Sequence, residues 1–139
     1  MRRALAAAAA LVVALVLAAC GSADGAPPPV YGADDTDIEV DEGQRFAITL
    51  EENPSVGDDW VVQGEPDPDV AALVDTDYDA DAPDMIGSGG ARTFTFEADG
   101  AGETTIVLHN CFRCNADGET PAEDQQYAET LTYDVRVGS

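Results

Sequence analysis

The chain has 139 residues, with six arginines, no lysine and 28 acidic residues, and a formal net charge of −22. A protein this acidic lacks the basic footprint that phosphate binding requires, which excludes nucleic acid as a partner, and anionic lipid headgroups repel it. Acidity keeps an exported domain soluble and argues nothing about its fold.

Arg2 and Arg3 precede an unbroken apolar run from Ala4 to Ala19. That run is too short for a comfortable membrane span and has the character of a signal h-region. It ends in Leu17-Ala18-Ala19-Cys20-Gly21, which resembles a bacterial lipobox. The resemblance implies removal of residues 1–19 and lipidation of Cys20, with the protein exported and held on the extracytoplasmic face of the cell membrane. The alternative is an ordinary signal peptide cleaved near an Ala-x-Ala site, with Cys20 incidental. Cleavage leaves four arginines against 28 acids. Lipid attachment, at roughly 0.8 kcal/mol for each buried methylene, is then the only expected link to the membrane. Residues 20–36 include Pro27-Pro28-Pro29 among Gly, Ala and Asp. They read as a flexible tether that lifts the rest of the chain roughly 20 to 40 Å off the surface.

Residues 37–139 suffice for one small domain with one core. Period-two patterning recurs along them. Ile38 and Val40 alternate with acids; Phe46, Ile48 and Leu50 alternate with Ala47 and Thr49. Trp60-Val61-Val62, Val70–Val74, Phe94 and Phe96, Thr104–Leu108 and Thr130–Val137 continue the series. Such β-branched and aromatic alternation predicts half-buried strands. Glu42-Gly43, Asp99-Gly100 and Asp117-Gly118 supply turn chemistry between them. Seven or so short strands predict an all-β, immunoglobulin-like antiparallel β-sandwich. The Cys…Trp…Cys spacing of antibody domains is absent, because Cys111 and Cys114 both follow Trp60.

Catalytic machinery is hard to find. His109 is the lone histidine, at the end of an apolar strand where a structural role is expected. No serine sits in a nucleophile elbow, and acids are too abundant for a carboxylate pair to carry a signal. Neither an enzyme activity nor a cofactor or metal is expected. Asp75, Asp77, Asp79 and Asp81 form a conceivable calcium loop, without the glycine and terminal glutamate of an EF-hand. With Cys20 lipidated, Cys111 and Cys114 remain as a pair in an oxidising compartment, for which a structural disulfide is the default. A redox motif is the second reading of Cys-x-x-Cys, and half a zinc site is the third.

Two loops carry more information. Asn53-Pro54-Ser55-Val56-Gly57-Asp58-Asp59-Trp60 is stiffened by Pro54, which fixes its own φ and restricts Asn53, while Gly57 permits a positive φ. A loop ordered in advance loses little entropy on docking, although the octapeptide alone also reads as a structural hairpin turn. Further on, Gly87-Ser88-Gly89-Gly90 feeds the alternating Phe94 and Phe96 strand, and its glycines allow close backbone approach to a partner.

An Asn-Pro-x-x-Gly-x-x-Trp segment followed by a Gly-x-Gly-Gly turn resembles the chagasin-like inhibitors of papain-family cysteine peptidases, over about residues 37–137. The resemblance implies a sandwich whose loops at one end plug a peptidase cleft. Asn53, Pro54, Ser55, Val56 and Gly57 would sit centrally over the catalytic cysteine. Gly87, Ser88, Gly89 and Gly90 would lie along one wall through main-chain hydrogen bonds. Trp60 matches the family's tryptophan and is expected in the core. The family's third loop is an Arg-Pro-Trp type segment, and this chain has His109-Asn110-Cys111-Phe112-Arg113-Cys114-Asn115 there. In one reading Arg113 and Phe112 replace the arginine and the aromatic group, with the disulfide replacing the stiffness of proline. In the other the contact is lost. Asp58 adds a charge beside the central loop. The expected function is thus a reversible, monomeric, lipid-anchored inhibitor of papain-family cysteine peptidases. The alternative is a surface-anchored sandwich that binds another protein or solute, and a redox module at Cys111 and Cys114 is a third reading.

Overall fold

Alternation along the strands places one apolar row inside and one polar row outside, so two sheets closing on each other bury both inner rows. The structure, a computed structural model, describes residues 26–139. Its strands are β1 (Val30–Tyr31), β2 (Asp37–Asp41), β3 (Arg45–Glu52), β4 (Trp60–Gly64), β5 (Ala71–Ala80), β6 (Gly90–Ala98), β7 (Gly102–Asn110) and β8 (Glu129–Gly138). One sheet has the order β1-β3-β6-β5 and the other β2-β8-β7-β4. The expected immunoglobulin-like sandwich is therefore present, with eight strands.

Phe46, Ile48, Phe96, Ile38, Ile106, Leu108, Tyr133 and Val135 are fully buried, and Trp60 joins the same core as expected. Phe46 pairs with Phe96 across β3 and β6, their rings stacked at 5.4 Å, and Tyr31 meets the edge of Phe46 at 6.4 Å. Each such side chain contributes about 1.5–3 kcal/mol of apolar burial.

Three features depart from the sequence reading. The sheets are mixed rather than antiparallel, because β1 runs parallel to β3 and β2 parallel to β8. One short stretch of chain lines the edge of one sheet, turns at Gly32–Asp35 and lines the edge of the other. Asp35 caps that turn by accepting the Gly32 N–H at 2.8 Å, and Tyr133 donates its hydroxyl to the Gly32 carbonyl at 3.1 Å. The tether expected to run to Thr36 is consequently shorter at its C-terminal end. Its last part is tied into the fold from Pro29, whose carbonyl accepts the Ala47 N–H at 2.9 Å. The signal segment and Cys20 lie outside the described residues.

The third departure is β5, which continues past a bulge near Val74 through the acidic segment and pairs with β6 as far as Ala80 opposite Gly90. Asp75, Asp77 and Asp79 thus lie along an extended edge strand, alternate residues spaced roughly 6–7 Å apart, and do not converge as a loop. Among the described residues no group of three or more His, Cys, Asp or Glu is placed to hold a metal ion. Charged side chains on such an edge oppose pairing with a second copy.

Burial pushes the Tyr133 hydroxyl up to about 12 from its ordinary value of 10, with Asp35, Glu129 and Asp34 adding to the shift. A raised phenol stabilises the fold fully below the unfolded value and loses that contribution as pH climbs through the folded one. Urea midpoints are therefore expected to fall between about pH 10 and about pH 12, with a smaller fall in Tyr133→Phe, which starts about 1 kcal/mol lower for want of its hydrogen bond. Equal falls in the two proteins would contradict this assignment.

Candidate functional site

The β3–β4, β5–β6 and β7–β8 loops leave the sandwich at one end, where Glu52 pairs with Gly90 and Trp60 with Asn110. Glu52 is buried there. Its carboxylate accepts the Trp60 N–H at 2.8 Å and receives Nη2 of Arg92 at 2.6 Å and Nε at 3.1 and 3.2 Å. The bond to Glu52 raises the Arg92 pKa further above its ordinary value, and the guanidinium lies 5.1 Å above the Tyr78 ring. The Trp60 indole N–H donates to the Glu51 carbonyl at 3.0 Å. The two feet of the central loop are thereby fixed before the loop itself is considered.

Within that loop Asn53 acts as a template. Its side-chain oxygen accepts the Ser55 N–H at 3.2 Å and the Ser55 hydroxyl, and its carbonyl accepts Val56 N–H at 3.1 Å and Asp58 N–H at 3.3 Å. This is the local bonding for which Asn is favoured in turns. Asp58 turns inward, accepting the Asn53 N–H at 3.2 Å and the Asn110 amide at 3.0 Å, so its charge serves the loop from within. Asn110 returns the tie by accepting the Asp59 N–H at 3.2 Å. Pro54, Ser55 and Val56 remain exposed at the tip.

The neighbouring loops are bonded to this one on either side. Asn53 donates its amide to the Gly87 carbonyl at 3.4 Å. Arg113 donates its backbone N–H to the Gly57 carbonyl at 2.9 Å and Nε to the Val56 carbonyl at 3.1 Å. Arg113 holds this position with a left-handed φ of 49°, between two cysteines joined as the expected disulfide. Gly57 has a φ of 111°, and a Cβ there would collide with Cγ of Arg113. The glycine is thus required twice, for its conformation and for the close approach.

The expected contact residues divide on inspection. Asn53 to Gly57, Gly87, Gly89 and Arg113 all lie at the loop end. Ser88 instead turns its hydroxyl to the Ala82 carbonyl at 2.8 Å. Gly90 is buried inside β6, where a methyl group would run into Asp79 and Ala80. Phe112 is only 8% exposed, covered by Tyr127 at 5.1 Å and by the Arg113 guanidinium at 5.1 Å. Met85, Ile86 and Tyr127 are exposed on the same loops and were not among the expected contacts. His109 hydrogen-bonds Thr130 at 2.9 Å on the outer face of its sheet, a structural position.

Residues 39–135 match the Chagasin family peptidase inhibitor I42. The chain belongs to the chagasin family of peptidase inhibitors. Amebosin, solved in solution, is 28% identical and superposes with a TM-score of 0.61 over 81% of this chain and all of its own. The cysteine protease inhibitor EhICP2 from Entamoeba histolytica is 22% identical, TM-score 0.59, over 79% of this chain and 94% of its own. PbICP-C, solved in complex with falcipain-2, is 15% identical, TM-score 0.52, over 81% and 90%. At these identities the last two show the shared fold alone. None of the curated proteins matches the chain. A chagasin-family domain is an inhibitor, not an enzyme.

Removing Glu52 leaves Arg92 part-buried without its carboxylate and frees the Trp60 N–H. Glu52→Ala is therefore expected to lower stability by about 3 kcal/mol, the low end for a broken buried pair because Arg92 keeps some solvent. Urea unfolding measures this, and a loss below about 1 kcal/mol, the level of an exposed pair, would contradict it.

Proposed function

We propose that the domain is a reversible, monomeric inhibitor of papain-family cysteine peptidases, and that its three-loop end enters the catalytic cleft. The single observation that carries this reading is the bonding of both outer loops to the central one, through Asn53 to Gly87 and through Arg113 to Val56 and Gly57. A surface held in one conformation before encounter avoids most of the ordering cost of loop-mediated binding. Pro54, Ser55 and Val56 form the tip that covers the catalytic cysteine. Its restricted φ values and internal hydrogen bonds keep the chain from lying in register as a cleavable substrate. Gly87 and Gly89 offer backbone to one wall of the cleft, and Arg113 faces the other. Membership of the chagasin family supports the inhibitory activity, and the complex of PbICP-C with falcipain-2 supports the class of partner.

We further propose that Cys20 carries lipid and that residues 21 to about 28 tether the domain to the outer face of the cell membrane. Labelling of cells with a tagged fatty acid is expected to mark the protein, and Cys20→Ser to remove the label and release the chain; an unchanged label on Cys20→Ser would contradict the anchor.

The protein is expected to inhibit papain competitively. Gly89 has an ordinary φ, and its Cβ position lies 3.4 Å from the Glu52 carbonyl and 3.7 Å from Cβ of Asn53. Gly89→Glu is thus tolerated by the fold, yet places an unpaired charge beside the central loop. It is expected to raise Ki by roughly tenfold or more with little change in unfolding midpoint. Replacing both Cys111 and Cys114 by Ser releases Arg113 from its constrained conformation and is expected to raise Ki by roughly tenfold, about 1.4 kcal/mol. Absence of inhibition of any papain-family enzyme at micromolar protein would overturn the reading and leave a sandwich that binds another partner.

A further inference from the structure

Large exposed apolar side chains among the described residues fall into two groups. Val30, Leu73 and Val74 lie on the edge strands β1 and β5, whereas Val56, Met85, Ile86 and Tyr127 all project from the three loops at one end. Scattered apolar residues on a surface need no explanation, but a set gathered on one rigid edge marks a contact surface. Of the four, Tyr127 is the one aromatic residue and the one backed by a second ring.

Tyr127 lies in a single 3₁₀ turn, Gln125–Tyr127, and donates its backbone N–H to the Asp124 carbonyl at 2.9 Å. The residue is 56% exposed, and its ring rests on Phe112, centroid to centroid 5.1 Å and tilted by 44°. The Arg113 guanidinium also lies over Phe112, and it reaches Asp124 at 3.8 Å and the Val56 carbonyl at 3.1 Å. Phe112 is therefore a buried platform carrying one cation and one exposed ring, linked through Arg113 to the tip of the central loop. Tyrosine held in this way offers a large, amphipathic contact with few torsions left to freeze, the type of residue that dominates binding energies at interfaces.

We propose that Tyr127 is the principal aromatic anchor of the inhibitor, seated in an apolar pocket of the peptidase beside its catalytic groove, with Phe112 as its positioning residue. This assignment rests on the inhibitory reading above and has its own signature. Tyr127 is largely exposed in the free protein, so Tyr127→Ala loses only the ring contact with Phe112 and lowers the unfolding midpoint slightly, while raising Ki against papain by roughly 30-fold. Tyr127→Phe keeps the ring and stays within roughly threefold of the natural protein, since the pocket is apolar. Phe112→Leu weakens inhibition in the natural background and has a smaller effect once Tyr127 is Ala, because the platform acts in part through the ring it supports and in part through Arg113. If the natural protein inhibits papain and Tyr127→Ala does so equally well, the anchor is overturned and the inhibitory reading stands. If Tyr127→Phe loses as much as Tyr127→Ala, an apolar pocket is overturned. Failure of the natural protein to inhibit any papain-family enzyme at micromolar concentration overturns both assignments.

Discussion

The arrangement of the loop end depends on the buried carboxylate of Glu52. It lies where β3 leaves one sheet and β4 enters the other, and it binds Arg92 from β6 and the first N–H of β4 together. A carboxylate removed from water is costly unless its oxygens are fully partnered, and here four hydrogen bonds from two residues provide this. Arg92 in turn lies over Tyr78 of β5, so one charge pair reaches both edges of the β6 strand and the neighbouring sheet. Glu52 immediately precedes Asn53. The restraint on the sandwich is thus transmitted to the first residue of the central loop without an intervening flexible step.

From that fixed foot the loops are organised by short polar side chains. Asn53 shapes the tip from within, while Asp58 and Asn110 tie its return to the β7–β8 side. The disulfide holds Arg113 in the left-handed conformation needed to reach two carbonyls of the tip. An inhibitor that must meet an active-site cleft without being cut benefits from this stiffness, because a strand able to relax into an extended register would be a substrate. All four arginines of the described domain have carboxylate partners, at Glu97, Glu52, Asp124 and at Glu39 with Glu103. Among the described residues no arginine is left without a carboxylate partner to offset the acidity of the surface, so the net charge acts on approach and solubility.

Much of the fold was legible because strand alternation records which face is buried. Phe46, Ile48, Leu50, Phe94 and Phe96 needed no further information, whereas the core position of Trp60 was legible through its match to the family's tryptophan. β1 escaped notice because two residues after a proline run give no periodicity; its partner β3 and the Gly32–Asp35 turn impose the strand. The parallel edges are equally invisible, since pairing direction leaves no mark in a single strand. β5 was cut short because aspartates disfavour strands, yet an edge strand lets them point to water while the backbone still pairs with β6. At the loop end, Asn53 to Gly57 and the glycines could be located from their backbone requirements. The roles of Glu52 and Asp58 could not, since two structural acids among 28 look like the rest. Nor could sequence distinguish a buried Phe112 from an exposed Tyr127, because irregular loops have no period from which to read a face.

The central claim is that the end carrying Pro54, Ser55 and Val56 closes a papain-type cleft. A crystal structure of the protein bound to papain tests it most directly. The account predicts that these residues lie over the catalytic cysteine, with Gly87 and Gly89 on one wall and Arg113 with Tyr127 on the other. A complex formed through the opposite end of the sandwich, at the Glu42-Gly43 and Asp99-Gly100 turns, or through the β5 edge, would contradict it.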